Sequence, residues 1–124
     1  MKFFIGSGLV FSALLTAALL TACHSPHIDV TVQNRTGTPI RLLEVDYPSA
    51  SFGSDVLANG ATMRYRIQVQ GTGPLKVQYN SGDGRQAQID GPSLAERQEG
   101  TLEIDLLPGA RAEFHPHLSG ANGH

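Results

Sequence analysis

The sequence predicts an all-β chain: a single antiparallel β-sandwich of about seven strands behind an N-terminal signal peptide. Three observations carry that expectation. Apolar and polar residues alternate at period two through most of the chain after Cys23, the pattern of half-buried strands. Turn sequences rich in Gly, Pro, Asn and Asp fall between the alternating runs. The chain has 124 residues, 40% hydrophobic and 16% charged, which is enough for one small domain and too short for two.

The first segment is a leader rather than part of the domain. Lys2 supplies a positive charge, Phe3 to Leu20 form an apolar run, and Thr21-Ala22-Cys23 close it with small residues. Those are the parts of a secretory signal peptide. A spanning helix needs about 20 apolar residues. This run is slightly short and carries Gly6, Ser7, Gly8, Ser12 and Thr16, which counts against the alternative of an uncleaved anchor.

Leu20-Thr21-Ala22-Cys23 resembles the lipobox of bacterial lipoproteins, and it uses the one cysteine of the chain. The resemblance covers the leader alone. It implies that the Cys23 thiol is diacylated, that the bond between Ala22 and Cys23 is cut, and that the new amine is acylated. His24 rather than Asp follows the acylated residue. By the same resemblance this favours transfer to the outer membrane, and the expected location is a lipid anchor there, facing the periplasm. The expected division is residues 1–22 as signal peptide, 23–26 as lipidated Cys and tether, 27–117 as sandwich, and 118–124 as a flexible tail. Removing residues 1–22 leaves 102 residues with eight basic and eleven acidic groups, a formal charge of −3.

Within the domain, four runs alternate cleanly. Ile28, Val30 and Val32 form the first; Met63, Tyr65, Ile67 and Val69 the second. Leu75, Val77 and Tyr79 form the third; Leu102, Ile104 and Leu106 the fourth. Each reads as a strand with one buried and one wet face, the antiparallel pattern. Weaker strands are expected at Ile40–Tyr47, Arg85–Asp90 and Arg111–His115. The second of the seven changes phase at Leu42-Leu43, and a β-bulge there would bring both apolar sets to the core. Pro48 to Gly60 reads as the longest connection, carrying Phe52 either as a contact anchor or as a lid on the core. Pro92 to Glu99 offers helix formers with Ser93 as N-cap and Gly100 as stop, enough for one turn. The middle of the chain, from about Val30 to Leu107, resembles small bacterial lipoproteins with an immunoglobulin-like sandwich. The features shared are Asn34-Arg35-Thr36-Gly37-Thr38-Pro39-Ile40, Asp46-Tyr47-Pro48-Ser49 with Phe52-Gly53, and Gly73-Pro74-Leu75-Lys76-Val77. This resemblance implies a fold and no activity.

Few residues point to chemistry. The lone cysteine excludes an internal disulfide framework and a cysteine-only zinc site. A formal charge of −2 lacks the basic surplus of a nucleic-acid binder. His115 and His117, one residue apart, can lie on one side of an extended strand and share a zinc or copper ion, with Glu113 the carboxylate nearby. The blander reading is two polar histidines ending a strand at Pro116. No Gly-x-Ser-x-Gly elbow occurs. Glu103 and Asp105 project together from one strand and read as solvated, paired across strands with Arg64 and Arg66. Ser81-Gly82-Asp83-Gly84 reads as a hairpin turn rather than a phosphate cradle, since no helix follows it. Asn34-Arg35-Thr36 matches a glycosylation sequon, which in a bacterial lipoprotein is coincidental. The expectation is a non-enzymatic binding or structural module of the cell envelope, without cofactor, attached to the membrane through Cys23 and meeting a protein or polysaccharide partner. The alternative is a periplasmic metal-binding module using His115 and His117.

Overall fold

A computed structural model describes residues 25–120. The expected signal peptide, Ala22, Cys23 and the last four residues lie outside the described residues. Eight strands make up the described chain: β1 (Ile28–Asn34), β2 (Ile40–Tyr47), β3 (Ala50–Leu57), β4 (Thr62–Ile67), β5 (Gly73–Asn80), β6 (Gln86–Leu94), β7 (Glu99–Leu107) and β8 (Arg111–Ser119). They form two four-stranded sheets, ordered β4-β1-β7-β8 and β3-β2-β5-β6. The chain is all-β and layered as a sandwich.

Hairpins join β2 to β3, β5 to β6 and β7 to β8, while the remaining connections cross between sheets. The pairing is not antiparallel throughout. β1 lies parallel to β7, with Val30 opposite Leu102 and Val32 opposite Ile104. A parallel pair needs a long crossover, and the five intervening strands supply it. Immunoglobulin constant domains put four strands on three; here the layers hold four each.

The core comes from the apolar faces of the alternating runs. Ile28, Val30, Val32, Ile67, Leu102, Ile104 and Leu106 face Ile40, Leu43, Val45, Leu75, Val77 and Tyr79 across the sandwich, all buried. Burial also holds the Tyr79 hydroxyl above its ordinary pKa. The Ser81–Gly84 turn closes the β5–β6 hairpin as expected, with Ser81 N–H donating to the Arg85 carbonyl at 2.7 Å. The Ser81 hydroxyl, then the Arg85 N–H, bond the Asp83 carboxylate and hold its pKa below the usual range.

Several expectations are corrected. The stretch expected as a long connection is strand β3, paired with β2 from Ala50–Tyr47 to Leu57–Ile40. Phe52 is buried at 7% exposure and stacks on Tyr65 of β4 at 4.7 Å between ring centroids, closing that edge of the sandwich. Its place is the core. The helical turn expected at Pro92 to Glu99 is absent: Pro92 to Leu94 finish β6, a turn follows, and β7 begins at Glu99. Nor does Pro116 end the last strand. β8 continues to Ser119, so Leu118 and Ser119 are strand rather than tail. Pro116 is tolerated because β8 is an edge strand, where a missing N–H interrupts no ladder on the open side.

The bulge expected in β2 is present, with the register against β5 shifting between Arg41 and Glu44. It brings Ile40, Leu43 and Val45 to the core but turns Leu42 outward, 62% exposed, at a φ of 50°. A side chain with a Cβ is disfavoured in that left-handed region, and asparagine tolerates it best after glycine. Leu42→Asn is therefore expected to stabilise the domain by about 1 kcal/mol, read as a higher midpoint in thermal unfolding. The same distortion explains Gly53, where a Cβ would overlap the carbonyl oxygen of Leu43.

Candidate functional site

The outer face of the first sheet carries the chemistry-bearing side chains. Because side chains alternate along a strand, Asp29, Thr31 and Gln33 of β1 project to the face opposite the core. Thr101, Glu103 and Asp105 of β7 do the same, as do Glu113, His115 and His117 of β8. Register then decides who meets whom. Glu103 lies directly opposite His115, Asp105 opposite Glu113, and Thr101 opposite His117.

These pairings assemble a compact cluster. One ligand-type atom from each of Glu103, Asp105 and His115 lies within 4.8 Å of the others. His115 Nε2 stands 3.5 Å from Asp105 Oδ2 and 3.6 Å from Glu113 Oε1. Glu113 and His115 are exposed, but the Asp105 side chain is only 9% exposed. Its Oδ1 is fully buried and has no hydrogen-bond partner. A buried carboxylate without a donor is costly, on the order of 1–3 kcal/mol or more for a charged group. Among the described residues, His115 is the basic group within ion-pair distance of it.

The cross-strand pairing expected between Arg64, Arg66 and the carboxylates of β7 does not form. β1 lies between β4 and β7, so the two arginines are one strand too far away. Arg66 instead donates from Nε to Asp29 Oδ1 at 2.9 Å, and that bond raises the guanidinium pKa above its ordinary value. Arg64 stands opposite Thr31.

His115 and His117 do share one face of β8, as the sequence suggested, with their positions about 6.6 Å apart along the strand. Their surroundings differ. His115 turns to the carboxylates of β7, whereas His117 lines a shallow hollow with His27, Asp29 and Arg66 at the end of the sandwich where β1 begins. Of the two carboxylates expected to be solvated, Glu103 is exposed and Asp105 is buried, and both belong to the cluster. The signal was their position two residues apart, but which strand would lie beside them was not written in it.

A second outward carboxylate pair occurs on the other sheet. Glu44 and Asp46 of β2 share a hydrogen bond that raises the Glu44 pKa. Asp46 also accepts a bond from Gln78 Nε2 at 3.2 Å. That pair contains no imidazole, and its partners account for it.

Fold and site together define a two-sheet β-sandwich domain with a carboxylate–histidine cluster on one outer face. No family model matches the chain, and no curated protein matches it. Among solved structures, the chain is similar to a protein from Eubacterium rectale determined by NMR, with a TM-score of 0.53 and 11% identity. The match covers 72% of this chain and 86% of that one. At such identity the likeness speaks to the fold alone.

Proposed function

We propose that this chain is a lipid-anchored β-sandwich of the bacterial cell envelope that works by binding or supporting an envelope partner rather than by catalysis. The observation that carries the reading is Leu20-Thr21-Ala22-Cys23, a lipobox at the end of an apolar run and built on the chain's one cysteine. An acyl chain contributes about 0.8 kcal/mol per buried methylene, so stable anchoring requires more than one chain, as the modified Cys23 would provide. The four residues His24 to His27 precede β1 and can span about 13 Å. The sandwich would then sit close to the headgroups, at the outer membrane and facing the periplasm. The immunoglobulin-like character belongs to this proposal too, and the two-layer arrangement is in keeping with it. In such sandwiches partners are met by loops and sheet edges. A protein or polysaccharide of the envelope fits that mode.

The test is chemical. Wild-type protein expressed in bacteria should incorporate labelled palmitate and fractionate with membranes. Cys23→Ser should lose the label and leave the membrane fraction. A wild type that takes up no label, with a Cys23→Ser variant that remains membrane-bound at unchanged mobility, would refute the anchor. Turnover of an envelope substrate by the purified protein, abolished by changing one polar side chain, would refute the non-enzymatic role.

A further inference from the structure

We propose that Glu103, Asp105 and His115 form a binding site for a divalent first-row transition ion, with Zn2+ the best match, and that Glu113 completes it. The inference stands on the geometry of the β7–β8 ladder and is independent of the membrane reading. Two observations converge on it. The first is the set of donors: two carboxylates and an imidazole with ligand atoms within 4.8 Å of one another, and a third carboxylate 3.6 Å from the imidazole Nε2. The second is Asp105, nine-tenths buried, with Oδ2 facing the imidazole and Oδ1 buried without a donor. A cation beside Oδ2 supplies a full positive charge to a buried carboxylate that otherwise faces only an imidazole.

The donor types select the ion. Zinc takes imidazole nitrogen and carboxylate oxygen at about 2.0–2.2 Å, which sets neighbouring ligand atoms of a tetrahedral site roughly 3.4 Å apart. The His115–Asp105 and His115–Glu113 separations of 3.5 and 3.6 Å are near that spacing. Glu103, Glu113 and His115 are exposed and free to adjust, while Asp105 is fixed by its surroundings. An imidazole ligand disfavours Mg2+ and Ca2+, which prefer all-oxygen shells, and the absence of thiolate from the set disfavours Cu(I). Binding at Nε2 requires the His115 proton on Nδ1.

The position of the site suggests what the ion does. β8 is an edge strand, with Pro116 next to His115. An ion held jointly by Glu103 and Asp105 of β7 and by His115 and Glu113 of β8 ties that edge to the sheet through side chains. The ion is a clamp on the last hairpin.

The experiment is a Zn2+ titration by calorimetry on the full chain in detergent after chelator treatment, with thermal unfolding alongside. The expected result is one ion per chain at this site and a higher unfolding midpoint with Zn2+. His115→Ala and Asp105→Asn should each weaken binding at least tenfold and lose the midpoint shift, while His117→Ala retains both. Because His115 is exposed, its alanine variant is expected to fold, which circular dichroism checks. Asp105→Asn, by removing the buried charge, should unfold no earlier than wild type without metal. A wild type that binds no Zn2+ overturns the proposal. So does binding that survives both variants, and so does binding lost equally in His117→Ala. Preference for Ca2+ or Mg2+ over Zn2+ would also overturn it, since the imidazole would then not be a ligand.

Discussion

Asn34→Ala is expected to lower the stability of the domain by about 3 kcal/mol, measured as the free energy of unfolding in urea. Asn34 is fully buried at the end of β1. Its Nδ2 donates to the carbonyls of Thr38, Leu57 and Ala58 at 2.9, 3.0 and 3.2 Å. Its Oδ1 accepts from the Thr36 N–H at 3.0 Å and the Thr36 hydroxyl at 2.7 Å. One side chain therefore ties the β1–β2 turn to the far end of β3, and so one sheet to the other. The main chain adds to the junction: Asn34 N–H bonds Ala61 and Arg35 N–H bonds the Leu106 carbonyl. Alanine leaves buried carbonyls without their donor, and water cannot easily replace it in a closed site. Asn34→Asp should be at least as damaging, because it keeps the acceptor, removes the donor and points a carboxylate at carbonyl oxygens. A loss below about 1 kcal/mol for alanine would mean that the turns close without this residue.

Ile104→Ala is expected to cost between about 2 and 5 kcal/mol. Ile104 is fully buried on β7, between Val32 of β1 and Phe114 of β8. Both neighbouring strands hold that position in register, so the backbone has little room to collapse into the space left behind. The cost should fall in the upper part of the range for that reason, and Ile104→Val should cost only about 0.5–1.5 kcal/mol. Ile67→Ala offers a comparison. Ile67 is equally buried but lies on the edge strand β4, which can relax toward the gap. A larger loss at Ile67 than at Ile104 would contradict the view that β7 is the less yielding strand.

The strands that could be read in advance share one property: their apolar residues keep strict alternation. β1, β5 and β7 each present a buried residue at every second position. β3 could not be read in the same way. Its two buried apolar residues, Phe52 and Leu57, are five apart, and between them lie Gly53, Ser54, Asp55 and an exposed Val56. An odd spacing means that the strand changes phase, opposite the bulge that β2 makes at Leu42. Two irregularities that complement each other across a ladder cancel in the sheet, but in the sequence each resembles a loop. Pro116 and the weak polar run of β8 were obscured similarly, because an edge strand needs to satisfy only one neighbour.

By itself the sequence determined the fold class, the clean strands and the hairpin turns, because period-two burial and turn chemistry are local properties of a few successive residues. The resemblance to a lipobox is equally local, a matter of four residues in a row. Only the tertiary structure decided which strands adjoin. Placing β1 parallel to β7 separated Arg64 and Arg66 from Glu103 and Asp105, and placing β8 on the other side brought His115 to them. It also turned Asp105 from one of a solvated pair into a buried carboxylate with one oxygen facing His115 and the other without a donor. Outward direction follows from alternation, but burial on an outer face depends on the height and register of side chains from neighbouring strands. That information is not contained in any single segment of the chain.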